Sequence, residues 1–109
     1  MTSQAGTRAI LETLAASDPD LTVKGKTMPY LAVNGNMFAF VTAEGGLCLR
    51  FAEADRVRLA EDFGTGPVMQ YGAVMRGYVA LPAEILADAG ELAELFAQSV
   101  ALHVPPLLR

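Results

Sequence analysis

Only one cysteine, Cys48, and one histidine, His103, occur among the 109 residues. A single cysteine excludes an intrachain disulfide and a thiolate metal cluster, and it suits a reducing compartment. A single histidine without further ligands at metal spacing gives no metal site, so no metal or cofactor is expected. His103 stands at the end of the last helical segment, where a polar or cationic group suits the helix dipole. Positive charge is scarce too: eight Lys and Arg face twelve Asp and Glu, for a net charge of −4. Those eight are scattered, whereas nucleic-acid binding needs a basic stripe, so nucleic acid is not the expected partner. No stretch approaches the roughly 20 apolar residues that cross a bilayer, and the first eight residues hold no apolar signal core. A cytoplasmic protein that does not enter membranes is expected. Gly64-Thr-Gly-Pro67 is Gly-rich but has neither the Lys-Ser/Thr of a P-loop nor a GxGxxG pattern. The acids fall at spacings of solvated helix faces instead of converging for acid–base work. The chain is therefore read as a non-enzyme.

What is present is apolar. Hydrophobic residues make up 52% of the chain and charged ones 18%, a richer core-forming content than the globular average. The length makes one domain, 1–109, able to bury about 60–70% of its unfolded surface. Ile10, Leu11 and Leu14 predict a helix over 4–16, with Ser3 as N-cap and Asp18-Pro19 as its stop. Residues 21–26 alternate apolar and polar like a half-buried strand. Between 31 and 51, Asn34-Gly35 and Glu44-Gly45 punctuate three apolar runs, which predicts a three-strand meander with two-residue loops. That register sets Leu31 opposite Phe38, Thr42 opposite Leu47 and Phe40 opposite Leu49. One face then carries Leu31, Val33, Phe38 and Phe40 with Leu47, Leu49 and Phe51.

A helix over 53–63 follows, with Val57, Leu59, Ala60 and Phe63 inward and Gly64 as its stop. Strands over 67–71 and 74–81 turn at Gly72-Ala73. Pro82 opens a short helix, and Asp88 and Glu91 stand at capping-box spacing. A last helix over 90–103 turns Leu92, Leu95, Phe96, Ser99 and Leu102 inward and stops at Pro105-Pro106. The expected fold is an α+β two-layer sandwich: a five-stranded antiparallel sheet with helices on one face, in the order α-β-β-β-α-β-β-α-α.

In such a sheet the face away from the helices meets water and is polar. Here its alternate positions carry Tyr30, Met37, Val41, Cys48, Met69 and Tyr78, with Ala32 and Ala39 between them; its only charges are Arg50 and Arg76. Tyr, Met and Arg are enriched in protein interfaces, and a free apolar patch of this size marks an interaction site. Tyr30, Met37, Val41, Cys48, Arg50, Met69, Arg76 and Tyr78 are therefore the expected interface, most simply with a second copy of the chain, otherwise with another protein. The alternative is that the C-terminal helices cross to cover this face. Cys48 sits in a Leu-Cys-Leu frame, where a thiol is small apolar filler; Arg50, two residues on, is the one neighbour that would activate it.

Several segments together resemble one family. Val33-Asn-Gly-Asn-Met-Phe38, Leu47-Cys-Leu-Arg50, Met75-Arg-Gly-Tyr-Val79 followed by Pro82, and Pro105-Pro106 are similar to the TfoX N-terminal domain. At Lys24-Gly-Lys-Thr-Met28 the chain departs from the family, lacking its paired glycines. The resemblance implies a fold like that of secretion chaperones and a link to bacterial transcriptional regulation through competence genes. Full-length regulators of the family carry an additional C-terminal domain, and this chain is expected to be the N-terminal domain standing alone. The expected function is a non-enzymatic regulatory module acting as a homodimer. A DNA-binding regulator and a small-molecule binder using a cleft between sheet and helices are the alternatives.

Overall fold

The computed structural model describes residues 4–16, 21–25, 28–33, 36–42, 44–66, 68–70, 73–75 and 77–103. Helix α1 (Gln4–Ala15) buries Thr7, Leu11 and Ala15, residues spaced by four that share one helix face. The expected cap Ser3 and stop Asp18-Pro19 lie outside the described residues. The 21–26 segment contributes a single bridge: Lys24 and Tyr30 exchange backbone hydrogen bonds of 3.0 and 2.9 Å. Gly25 makes that loop possible. Its φ is +89°, and a Cβ there would stand 2.4 Å from the Met28 carbonyl oxygen.

Strands β1 (Tyr30–Val33), β2 (Asn36–Val41) and β3 (Leu47–Arg50) form the expected meander. At the first turn the expected register holds, with Val33 opposite Asn36 and Ala32 opposite Met37. The register then shifts. Leu31 pairs with Ala39, which makes Phe38 the extra residue of a β-bulge in β2. Both Phe38 and Ala39 consequently pack into the helix-side core.

The second turn also departs from expectation. Thr42 N–H donates to Gly46 O at 2.8 Å, Gly45 N–H donates to Thr42 O at 3.0 Å, and Gly45 has φ 90°. This is a three-residue loop closed by a left-handed glycine, not a two-residue loop. Val41 therefore meets Leu47, and Phe40 meets Cys48. The extra loop residue moves every later pairing by one, which exchanges the faces of β2: Ala39 and Val41 enter the helix-side core and Phe40 leaves it.

The expected single sheet of five strands is corrected to two sheets. Among the described residues six strands form, four in one antiparallel sheet ordered β1-β2-β3-β6 and two in a separate hairpin. The expected 74–81 strand is broken at Gly77 (φ +86°) into β5 (Ala73–Met75) and β6 (Tyr78–Ala80). Strand β4 (Val68–Gln70) pairs with β5, Val68 opposite Met75 and Gln70 opposite Ala73. Strand β6 pairs with β3 at the sheet's edge.

Helix α2 (Glu53–Phe63) ends at Gly64, whose φ of 70° and N–H bond to Ala60 O make a left-handed cap. Only Leu59 of α2 is fully buried; Val57, expected inward, is 50% exposed. Helix α3 (Ala83–Leu86) follows Pro82, and α4 (Ala89–His103) is capped by Asp88 Oδ1, which accepts the Glu91 N–H at 3.1 Å. Leu92, Leu95, Phe96 and Ser99 of α4 face the sheet, whereas Leu102 is 48% exposed. The Phe96 ring tilts at 56° against Phe38, centroids 5.9 Å apart, within the range of favourable aromatic pairs. Ser99 Oγ donates to Arg50 O at 2.6 Å, and Thr7 Oγ1 donates to Gly45 O. These bonds tie α4 and α1 to the same side of the sheet.

Candidate functional site

The sheet's second face is built from β1, β2, β3 and β6. Alternation places Tyr30, Met37, Cys48 and Tyr78 there, as expected, and adds Phe40, which the expected register had put in the core. Val41 is corrected the other way: it is fully buried on the helix side, because of the three-residue turn before β3. Met69 lies on β4, opposite Val74, outside the main sheet. Arg76 lies outside the described residues. Arg50 is exposed at the end of β3, and its side chain lies against Gly77, where a Cβ would stand 3.0 Å from Nε.

The centre of this face is dry. Phe40 and Cys48 are 0% exposed and Tyr78 is 8% exposed. The β4–β5 hairpin covers them, packing Val68 and Met75 against the Phe40–Cys48–Tyr78 cluster. Among the described residues the cover of this centre is thus a hairpin and not a C-terminal helix. The Tyr78 ring meets Phe40 edge-on, centroids 5.1 Å apart at 61°, and its hydroxyl donates to Met37 O at 2.7 Å. Met28, Tyr30, Met37 and Met75 ring this sealed centre and are half-buried.

Burial pushes the Cys48 thiol up to about 12 from its ordinary 9.0. A neutral thiol in apolar surroundings is a poor nucleophile. Tyr78 is raised as well, first by burial and then by Cys48, with the Arg50 guanidinium opposing. His103 ends α4, and its side chain lies outside the described residues. Among the described residues, no three His, Cys, Asp or Glu side chains gather as a metal site requires. No helix is long and apolar enough to cross a membrane, among the described residues.

Two open grooves border the N-terminal end of α2. One, of about 380 Å³, lies between α2 and β6 and is lined by Glu53, Arg56, Val57, Met75 and Tyr78 among others. The other, of about 350 Å³, is lined by Arg50, Phe51, Ala52, Arg56 and Leu102. Arg56 stands in both, and its guanidinium donates to Phe51 O. Sequence reasoning missed the contributions of Phe40, Val68, Val57 and Arg56. The one available signal was the Ala43-Glu44-Gly45-Gly46 stretch, which accommodates either a two-residue or a three-residue loop.

No curated protein and no solved structure matches the chain. The family model of the TfoX N-terminal domain matches residues 25–102, which span all of β1 through β6, α2, α3 and nearly all of α4. With that match over most of its length, the chain belongs to the TfoX N-terminal domain family.

Proposed function

We propose that this protein is a non-catalytic regulatory module that works in the cytoplasm by protein docking, pairing with a second copy of itself and presenting the rim of its second sheet face to a partner of bacterial transcription control. Membership of the TfoX N-terminal domain family supports the regulatory part. The observation that carries the docking part is the rim itself. Met28, Tyr30, Met37 and Met75 stay half-exposed around a centre that the chain has already sealed. Methionine is flexible and polarisable, so a methionine-rich rim adapts to a partner's shape, and aromatic and Met side chains are enriched at interfaces. The burial of Cys48, which holds its thiol neutral, argues against cysteine-nucleophile chemistry.

Capture from native cytoplasm with the wild type and with Met28→Asp and Met37→Asp tests the reading. A partner held by the wild type and lost by both variants is the expected result. An identical set of captured proteins for all of them contradicts it.

A further inference from the structure

Among the described residues, no strand pairs with the outer edge of the sheet at β6. β6 pairs with β3 on its inner side. Phe51 N–H donates to Gly77 O and Leu81 N–H donates to Leu47 O, each at 2.9 Å. In an antiparallel ladder the residues between such pairs turn their N–H and C=O groups the other way. Tyr78 and Ala80, opposite Arg50 and Cys48, are those residues. Both backbone groups of each point off the sheet, and among the described residues no backbone bond to that outer side is found. The groove between α2 and β6 runs beside this edge.

We infer that β6 is the seam of a homodimer, in which its outer edge pairs antiparallel with the same edge of a second copy about a twofold axis at Val79. The inference rests on the self-pairing reading above and places the contact. With the axis at Val79, Tyr78 stands opposite the partner's Ala80. Each such pair exchanges two hydrogen bonds, so the seam closes with four and joins two four-stranded sheets into one. An open edge is a template for another strand, and a twofold contact requires a patch that complements itself.

The flanking helix meets that requirement. α2 carries Glu53, Arg56 and Val57 along the groove, one acid and one base around an apolar residue that is 50% exposed. The twofold brings Glu53 toward the partner's Arg56, and the reverse, and covers Val57. A groove with one charge of each sign selects neither an acidic nor a basic peptide, whereas its own copy balances it. α2 also has Leu59 as its one fully buried side chain, so much of its surface is free for a second α2.

Ala80→Pro tests the seam in the full chain. The Ala80 N–H points outward, so proline deletes a seam donor without touching the β3–β6 ladder, and edge strands accept proline. Ala80→Ser keeps the donor. Sedimentation equilibrium across a dilution series is expected to give a dimer for the wild type and Ala80→Ser. Ala80→Pro, with an unchanged circular dichroism spectrum, is expected to dissociate at least tenfold more readily. Val57→Glu changes no strand and is expected to weaken the dimer likewise, which keeps the inference testable should the proline variant misfold. A dimer that survives both Ala80→Pro and Val57→Glu but is broken by Met37→Asp overturns the β6 seam and leaves self-pairing standing. A wild type that is monomeric throughout the series overturns both.

Discussion

At the scale of single residues, Cys48 and Ser99 are where the chemistry is most constrained. The Cys48 thiol is raised to about 12 in the fold against 9.0 unfolded. The folded state therefore holds its proton more tightly. The stability this contributes is fully present below about pH 9 and is lost as pH rises through 9 toward 12. Denaturant titrations of the wild type and Cys48→Ala over that window are expected to show a steeper decline for the wild type. At pH 8 a disulfide reagent is expected to label Cys48 only at the rate of unfolding; immediate labelling would contradict the burial. Ser99 is 0% exposed and donates to Arg50 O, tying α4 to the end of β3. Ser99→Ala leaves that carbonyl oxygen without this donor and is expected to cost about 1–2 kcal/mol in urea unfolding. Gly77 is the third such residue. Its φ of +86° strains any side chain placed there, and the Arg50 side chain, 3.0 Å away at Nε, would have to give way by a few tenths of an ångström. Gly77→Ala is expected to cost about 1–2 kcal/mol, read as a lowered urea midpoint.

Among the elements, β2 decides the architecture. Its bulge at Phe38 and the three-residue loop after Thr42 send Phe38 to the helix-side core and Phe40 to the second face. The two rings thus belong to separate clusters. Phe38→Leu and Phe40→Leu are each expected to cost about 1–1.5 kcal/mol, and the double variant is expected to equal their sum within about 0.5 kcal/mol. Strong coupling between them would return both rings to one core. The helices were legible in the sequence because period and punctuation agreed: the 4–16 helix, the 53–63 helix with its Gly64 stop, and the Asp88 cap all stand. The strands were legible in existence but not in register. Glu44-Gly45-Gly46 offers a left-handed glycine to loops of either length, and local chemistry does not choose between them. Packing chooses, because the longer loop together with the bulge puts Phe38, Ala39 and Val41 on the helix side. Gly77 was likewise readable as strand or turn.

On the scale of the whole molecule, the composition was a sound guide to a second face too apolar for water, and a poor guide to what covers it. The expected sheet kept the 67–81 hairpin in plane. Instead β4–β5 leaves the sheet and lays Val68 and Met75 over Phe40, Cys48 and Tyr78. That tertiary choice is invisible to alternation, which reads each strand alone. Three of the eight expected interface residues then change character: Cys48 and Tyr78 are sealed within the chain and Val41 is core, while Tyr30, Met37 and Arg50 keep access to the surface. What stays open for docking is the rim and the β6 edge beside α2. Amide hydrogen exchange at Tyr78, Val79 and Ala80, followed by NMR at low and high protein concentration, tests this most directly. Val79 N–H belongs to the ladder with Leu49 and is expected to be protected at both concentrations. Tyr78 and Ala80 amides are expected to exchange fast when dilute and slowly when concentrated. Fast exchange of both at every concentration would contradict the account.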